Sequence, residues 1–162
     1  MTDVLVRVFD LHLMRWVEGQ PRYLVLQRSP GQIYEGIWQG VTGKIQTGEK
    51  AWEAALRELR EETGLRPAKM WTVDHVNFYY EAAADQLNGI PVFGVELARG
   101  EVVLSAEHQA HRWCPVDEAT ELLLWDQQRQ GLKIFHEMLT RFPEKLRWME
   151  IEIPPEGRTN QP

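Results

Sequence analysis

Basic charge is scarce in this 162-residue chain: 18 Lys and Arg stand against 24 Asp and Glu, a formal net charge of -6. General binding to nucleic acid or to an anionic membrane draws most of its affinity from a basic surface, so neither is expected as a partner. Cysteine is nearly absent. Cys114 alone cannot close an internal disulfide, which fits a reducing compartment. Long apolar runs are missing as well, since no stretch approaches the ~18 residues that a bilayer-spanning helix needs. The opening residues, MTDVLVRVFD, hold Asp3 and Asp10 and lack the basic start, apolar run and small-residue cleavage site of a secretory leader. A cytoplasmic location is therefore expected.

What is present describes an ordinary folded domain. With 43% hydrophobic and 26% charged residues the composition is that of a soluble globular protein, and seven Trp residues imply a substantial core. A chain of this length buries about 70% of the surface that its unfolded form exposes, enough for one core. No repeat or linker interrupts it, so residues 1–153 are read as one mixed α/β domain and 154–162, PPEGRTNQP, as a frayed tail. VLVRVFDLHL (4–13) and YLVLQR (23–28) read as strands joined through the EGQP turn. SPGQIYEG (29–36) is a loop, and IWQGVTG (37–43) a short strand. A long strand over 70–80 is expected to pair with PVFGVELA (91–98) across an Asn88-Gly89 hairpin signal. HRWCPV (111–116) is a last strand, followed by helices over 116–125 and 126–139.

The chemistry concentrates on one helix. AWEAALRELREET (51–63) is built of strong helix formers, with Ala51, Ala55, Leu56 and Leu59 on one face and Gly64 placed to stop it. Glu58 and Glu62 are four apart and Glu61 is three from Glu58, so like charges crowd one face and destabilise it. A divalent cation would remove that repulsion. With no His or Cys on this face, the donors suit Mg²⁺ or Mn²⁺ better than a closed Zn²⁺ site. An isolated acidic face of this kind is ordinarily a solvated one, so the surrounding spacing has to decide.

GKIQTGEKAWEAALRELREETGL places Gly43, Glu49, Arg57, Glu58, Leu59, Glu61, Glu62, Gly64 and Leu65 at G-x5-E-x7-R-E-U-x-E-E-x-G-U, where U is a bulky aliphatic. Seven identities at a residue usage of roughly 6% would arise by chance on the order of once in a billion starting positions. The segment resembles the Nudix box at every fixed position. That resemblance implies a Nudix-type α/β/α sandwich with a mixed sheet and a loop-helix-loop, and a pyrophosphohydrolase. It also implies Glu58 and Glu62 as principal metal ligands, Glu61 as ligand or base, and Glu49 as a supporting carboxylate. In physical terms, Gly43 would let the backbone turn tightly and approach the ion, and Arg57 would hold Glu61 at i+4 by charge-assisted hydrogen bonds. Outside the box, Glu107 in SAEHQAHRW falls where many Nudix enzymes place a further ligand or base. His108 beside it is a hydrogen-bonding partner before it is a base.

The flanks LVLQRS, IWQGVTGKIQ and LSAEHQAHRWCPVDEATELL resemble the bacterial dihydroneopterin triphosphate and dATP pyrophosphohydrolases. By that resemblance Arg28 and Thr42 would contact substrate, although the basic contacts expected at the N-terminus and in EAAADQLNGIP have no counterpart here. Tyr34, Trp38, Phe78 and Tyr80 could stack on a base, with Trp38 and Tyr80 preferred, while aromatics in strands serve the core first. Trp113 and Trp125 are assigned to the core. The expected reaction is hydrolysis of a nucleoside or pterin triphosphate to the monophosphate and pyrophosphate. A dinucleoside polyphosphate hydrolase of the Ap4A type and a non-catalytic nucleotide-binding regulator are the alternatives, and a homodimer is left open.

Overall fold

Runs of buried residues make the central strands here, and because successive side chains point to opposite sides, each run builds both faces of one sheet. The computed structural model describes residues 3–155. In chain order its elements are β1 (Val4–Leu5), β2 (Val8–Val17), β3 (Gln20–Arg28), β4 (Trp38–Gln39), β5 (Val41–Lys44), α1 (Ala51–Thr63), β6 (Pro67–Glu81), β7 (Gln86–Leu97), β8 (His108–Cys114), α2 (Val116–Leu122), α3 (Asp126–Arg141), α4 (Pro143–Met149) and β9 (Glu150–Ile151). Phe9, Leu11 and Leu13 of β2, Leu24 and Leu26 of β3, and Phe93 and Val95 of β7 point to one face, where Ala54, Ala55 and Leu59 of α1 cover them. Met14, Tyr23, Val25 and Val92 point to the other, under Ala119 of α2 and Leu132, Phe135 and Met138 of α3. The result is an α/β/α sandwich on a mixed sheet.

The sheet runs β4-β3-β2-β7-β6-β9, with β2 parallel to β7 and antiparallel to β3. One irregularity positions everything that follows. β2 pairs with β3 only from Leu13 onward; its first half, Val8–Leu11, pairs instead with Lys44–Val41 of β5. The chain therefore passes from β4, bonded to β3, directly into β5, bonded to β2, splitting the two strands like a wedge. Gly40 lies at the crossing, where a Cβ would stand 2.3 Å from the Leu11 carbonyl oxygen, so only glycine fits.

Several boundaries differ from expectation, each for a tertiary reason. β2 starts later and extends to Val17, because Arg15 and Trp16 pair with Arg22 and Pro21; Glu18 and Gly19 then make the turn with φ of 51° and 77°. The second hairpin does not turn at Asn88-Gly89. Glu81 pairs with Gln86 and the turn is Ala82–Asp85, with Asp85 at φ 48°. Asn88 and Gly89 lie inside β7 opposite Tyr79 and Phe78. The first C-terminal helix stops at Leu122 because Leu123 bridges to Trp38, and α4 and β9 were not expected. Ile151 joins the sheet opposite Met70 and Ile153 packs on the core, while the expected tail lies outside the described residues from position 156 on. Trp125 is not core: it stands 45% exposed between α2 and α3, edge-on to Tyr34 at 5.6 Å. Tyr34, Phe78 and Tyr80 are exposed too, the first in the loop after β3 and the others on β6.

Candidate active site

Helix α1 carries its carboxylates to the place where β5, the loop before β8 and the end of β3 meet. The chain reaches it through Gln46–Glu49, where Gly48 turns at φ 82° and Glu49 N–H donates to the Gln46 carbonyl at 3.0 Å. Gly64 ends the helix in the left-handed region at φ 69°, its N–H bonded to the Arg60 carbonyl. Gly43 has a different reason from the expected turn. It is extended within β5, opposite Phe9, and a Cβ there would lie 2.8 Å from Glu58 Cγ and 2.9 Å from its Cδ. Glycine at 43 leaves the room that the Glu58 side chain fills.

Arg57 organises one side of the helix. Its Nε and Nη2 grip Glu49 bidentately at 2.8 and 3.0 Å, Nη1 donates to Glu58 at 2.8 Å, and Nη2 donates to the Lys44 carbonyl at 3.1 Å. Glu61, the expected main partner, is the outermost contact at 3.5 Å. Glu49 outcompetes it because its backbone turn presents both oxygens to the planar fork, the strongest geometry available to a guanidinium. Arg57 is held further into its charged form by the hydrogen bonds to Glu49 and then Glu58, and Glu49 is held below the usual carboxylate range by the same bond.

Glu62 lies on the other side and could hardly differ more. It is only 3% exposed, and its Oε2 has no hydrogen-bond partner among the described residues. Burial, and then the charges of Glu58 and Glu107, push its pKa up to about 9, with Arg28 opposing. Glu107 arrives from the loop before β8, which is tied down by Ser105 N–H on the Glu62 carbonyl and by Ser29 N–H on the Glu107 carbonyl. Its half-exposed carboxylate faces Arg28 Nη1 at 3.6 Å. Arg28 in turn is braced by the Ile33 carbonyl and Gln32 Oε1 at 3.2 and 3.3 Å. His108 is buried beside Glu62, and burial and then the Arg28 charge lower its pKa to about 4, so the ring is neutral.

This set suits a hard divalent cation. An unpartnered buried carboxylate oxygen, repelled by two neighbouring carboxylates, is what such an ion would relieve, and Glu58, Glu62 and Glu107 are the residues that would hold it. Among the described residues no three acidic, His or Cys side chains already stand gathered around one point, and Glu58 is drawn toward Arg57 instead.

Of the remaining expected residues, Thr42 sits in β5 opposite Asp10, next to the box. Trp38 carries the Arg112 guanidinium over its ring at 5.0 Å. Tyr80 stands on the β6–β7 hairpin with its hydroxyl donating to Asp85 at 2.7 Å, not to the box. Sequence reasoning missed a polar nest on the α3 face of the sheet. Buried Asp10 accepts from Asn77 at 2.5 Å and from Gln128 at 3.2 Å, with His12 beside it. Burial raises Asp10 to about 6 and lowers His12 to about 4. The signal was there: Asp10 and His12 interrupt an apolar strand at i, i+2, on one face.

The family model described as the NUDIX domain matches residues 12–136. The chain belongs to the Nudix family. It is a Nudix hydrolase, of a class that generally requires a divalent cation and acts on small nucleotides. It is 29% identical over 140 residues to the mouse bis(5'-nucleosyl)-tetraphosphatase [asymmetrical], covering 84% of this chain and 93% of that one. In fold it is similar to a C. elegans Ap4A hydrolase in a binary complex, with a TM-score of 0.66, 24% identity and coverage of 82% of this chain and 96% of the other. It is similar also to the E. coli dihydroneopterin triphosphate pyrophosphohydrolase, with a TM-score of 0.62, 24% identity and coverage of 80% and 93%. Among the described residues no helix is long and apolar enough to cross a membrane.

Proposed function

We propose that this Nudix hydrolase cleaves a pyrophosphate bond in a nucleoside or pterin triphosphate, releasing the monophosphate and pyrophosphate. The observation that carries the reading is the buried Glu62 carboxyl, one oxygen of which has no hydrogen-bond partner among the described residues, set between Glu58, Glu107 and Arg28. Bound Mg²⁺ or Mn²⁺ supplies charge neutralisation for the attacking and leaving oxygens. Around it, Glu58 and Glu62 hold the ion, with Glu61 and Glu107 as further ligands or as base. Glu107 is the better-placed base, since it faces Glu62 and Arg28 while Glu61 leans to Arg57. The base takes the proton of a water whose oxygen attacks phosphorus; the bridging P–O bond breaks and pyrophosphate leaves with the electron pair. Arg28 offers its charge to the substrate phosphates, and Thr42 lines the approach. Trp38 and Tyr80 are the stacking surfaces for the base. Gly43, Glu49 and Gly64 support the arrangement by room, by grip on Arg57 and by ending the helix.

A second reading has its own support: the similarity to asymmetrical tetraphosphatases spans most of both chains and favours a dinucleoside tetraphosphate. One assay separates the two. Purified protein with Mg²⁺ is offered dNTPs, dihydroneopterin triphosphate and Ap4A, and products are resolved chromatographically. The triphosphate reading expects a monophosphate and pyrophosphate, whereas preferred conversion of Ap4A to AMP and ATP selects the second. No turnover of any of them would sink the catalytic reading and leave a nucleotide-binding regulator.

A further inference from the structure

Two buried polar atoms that have no hydrogen-bond partner among the described residues lie near each other inside the site: His108 Nδ1 and Glu62 Oε2, 3.9 Å apart. Across the same ring, the side-chain amide nitrogen of Gln39 lies 3.2 Å from His108 Nε2. The three residues come from β4, β8 and the last turn of α1, and all three are buried. With the Gln39 NH₂ turned to the ring, Nε2 is the acceptor, and the tautomer that fits carries its proton on Nδ1. That N–H looks toward the Glu62 carboxylate. Leaving both atoms unpaired costs about 1–3 kcal/mol each, and a shift of about 1 Å would bring them into hydrogen-bond range.

We propose that Gln39 and His108 form a buried relay that positions Glu62: Gln39 sets the tautomer, and His108 Nδ1–H engages one carboxylate oxygen and leaves the other for the cation. His108 is thus a positioning residue, distinct from a base. The proposal rests on the cation-dependent reading of the site, and it explains why a buried Gln follows Trp38 in β4. Partners of this kind orient ligands at other metal sites, and losing one costs about 10–100-fold in affinity.

The test uses Mn²⁺ alone, without nucleotide. In ¹⁵N spectra of the wild-type protein at neutral pH, His108 is expected as the Nδ1–H tautomer, and Gln39→Leu should release it to a mixture. By electron paramagnetic resonance titration, His108→Gln, whose amide reaches toward the Nε2 position, should bind Mn²⁺ about 10–100-fold more weakly. His108→Asn, whose amide lies near the Nδ1 position, should recover most of that loss. An Nε2–H tautomer in the wild type, unchanged Mn²⁺ affinity in His108→Gln, or equal losses in both variants would overturn the relay. If circular dichroism shows that the His108 variants fail to fold, Gln39→Leu decides, because an unchanged tautomer and affinity there overturn it equally. Absence of pyrophosphate turnover together with the expected Mn²⁺ pattern would instead sink the proposed function and leave the relay standing.

Discussion

The two sides of α1 carry the same residue type to opposite ends. On the Arg57 side, Glu49 and Glu58 are gripped by a guanidinium at 2.8 to 3.0 Å, and their charges are satisfied by the fold itself. On the Glu62 side, a carboxyl of the same helix is buried with one oxygen lacking a partner among the described residues, is repelled by Glu58 and Glu107, and is driven toward protonation. One side is satisfied within the fold, and the other is not. Strain of this kind belongs at functional sites, where a local rule is broken and the ligand restores it.

The comparison can be broken most severely at Glu62. Glu62→Gln keeps the shape and removes the charge, so turnover should fall by about 10³-fold, several kcal/mol of transition-state stabilisation, while the thermal midpoint stays level or rises. A near-normal rate would refute the division. Gly43→Ala tests the satisfied side from within. Its methyl would stand 2.8 Å from Glu58 Cγ, so the side chain that Arg57 holds has to shift. A displacement of about 1 Å at a reacting group costs about 10²-fold in rate, whereas stability should change by less than about 1 kcal/mol; calorimetry and kinetics together read the split.

Arg57→Ala should show the reverse emphasis, a loss of fold stability along with activity. Removing the fork leaves Glu58 without its Arg57 donor and Glu49 with only the Gln46 N–H, a loss of about 1–3 kcal/mol, and each kcal/mol lowers the midpoint by about 2–4 °C in a chain of this size. Arg57→Lys, a point charge without the fork, should recover only part.

The buried nest at Asp10 sharpens the comparison by pH. Its carboxyl is raised from 3.8 to about 6, so the stability attached to it is fully present below the unfolded value and is lost as pH rises through 6. His12, lowered to about 4, works the other way: its neutral form is favoured, and stability falls as pH drops from 6.5 toward 4. In the wild type the two trends oppose each other. Asp10→Asn deletes the first, so its advantage over the wild type at pH 8 should shrink by up to about 3 kcal/mol on going to pH 4. Parallel stability curves for the two proteins would refute the assignment.

The box was legible because its spacing has to survive in one continuous segment, and α1 begins and ends at the residues expected of it. The hairpins were less so. Glu18-Gly19 acted on its local preference, but Asn88-Gly89 did not, because both residues are taken up in the ladder of β7 with β6 and the turn falls at Ala82–Asp85. Arg57 was expected on Glu61 because the helical spacing allows it; the bidentate partner, Glu49, comes from a loop whose position depends on Gly48 and the wedge of β5.

By itself, then, the sequence determined the alternation of strands and helices, the family, and which carboxylates crowd one helix, all of which follow from spacing along the chain. Only the tertiary structure decided which of those carboxylates is satisfied. Charge balance depends on burial and on donors from β3, β4 and the loop before β8, and those residues are distant in sequence and meet only when the sheet has formed.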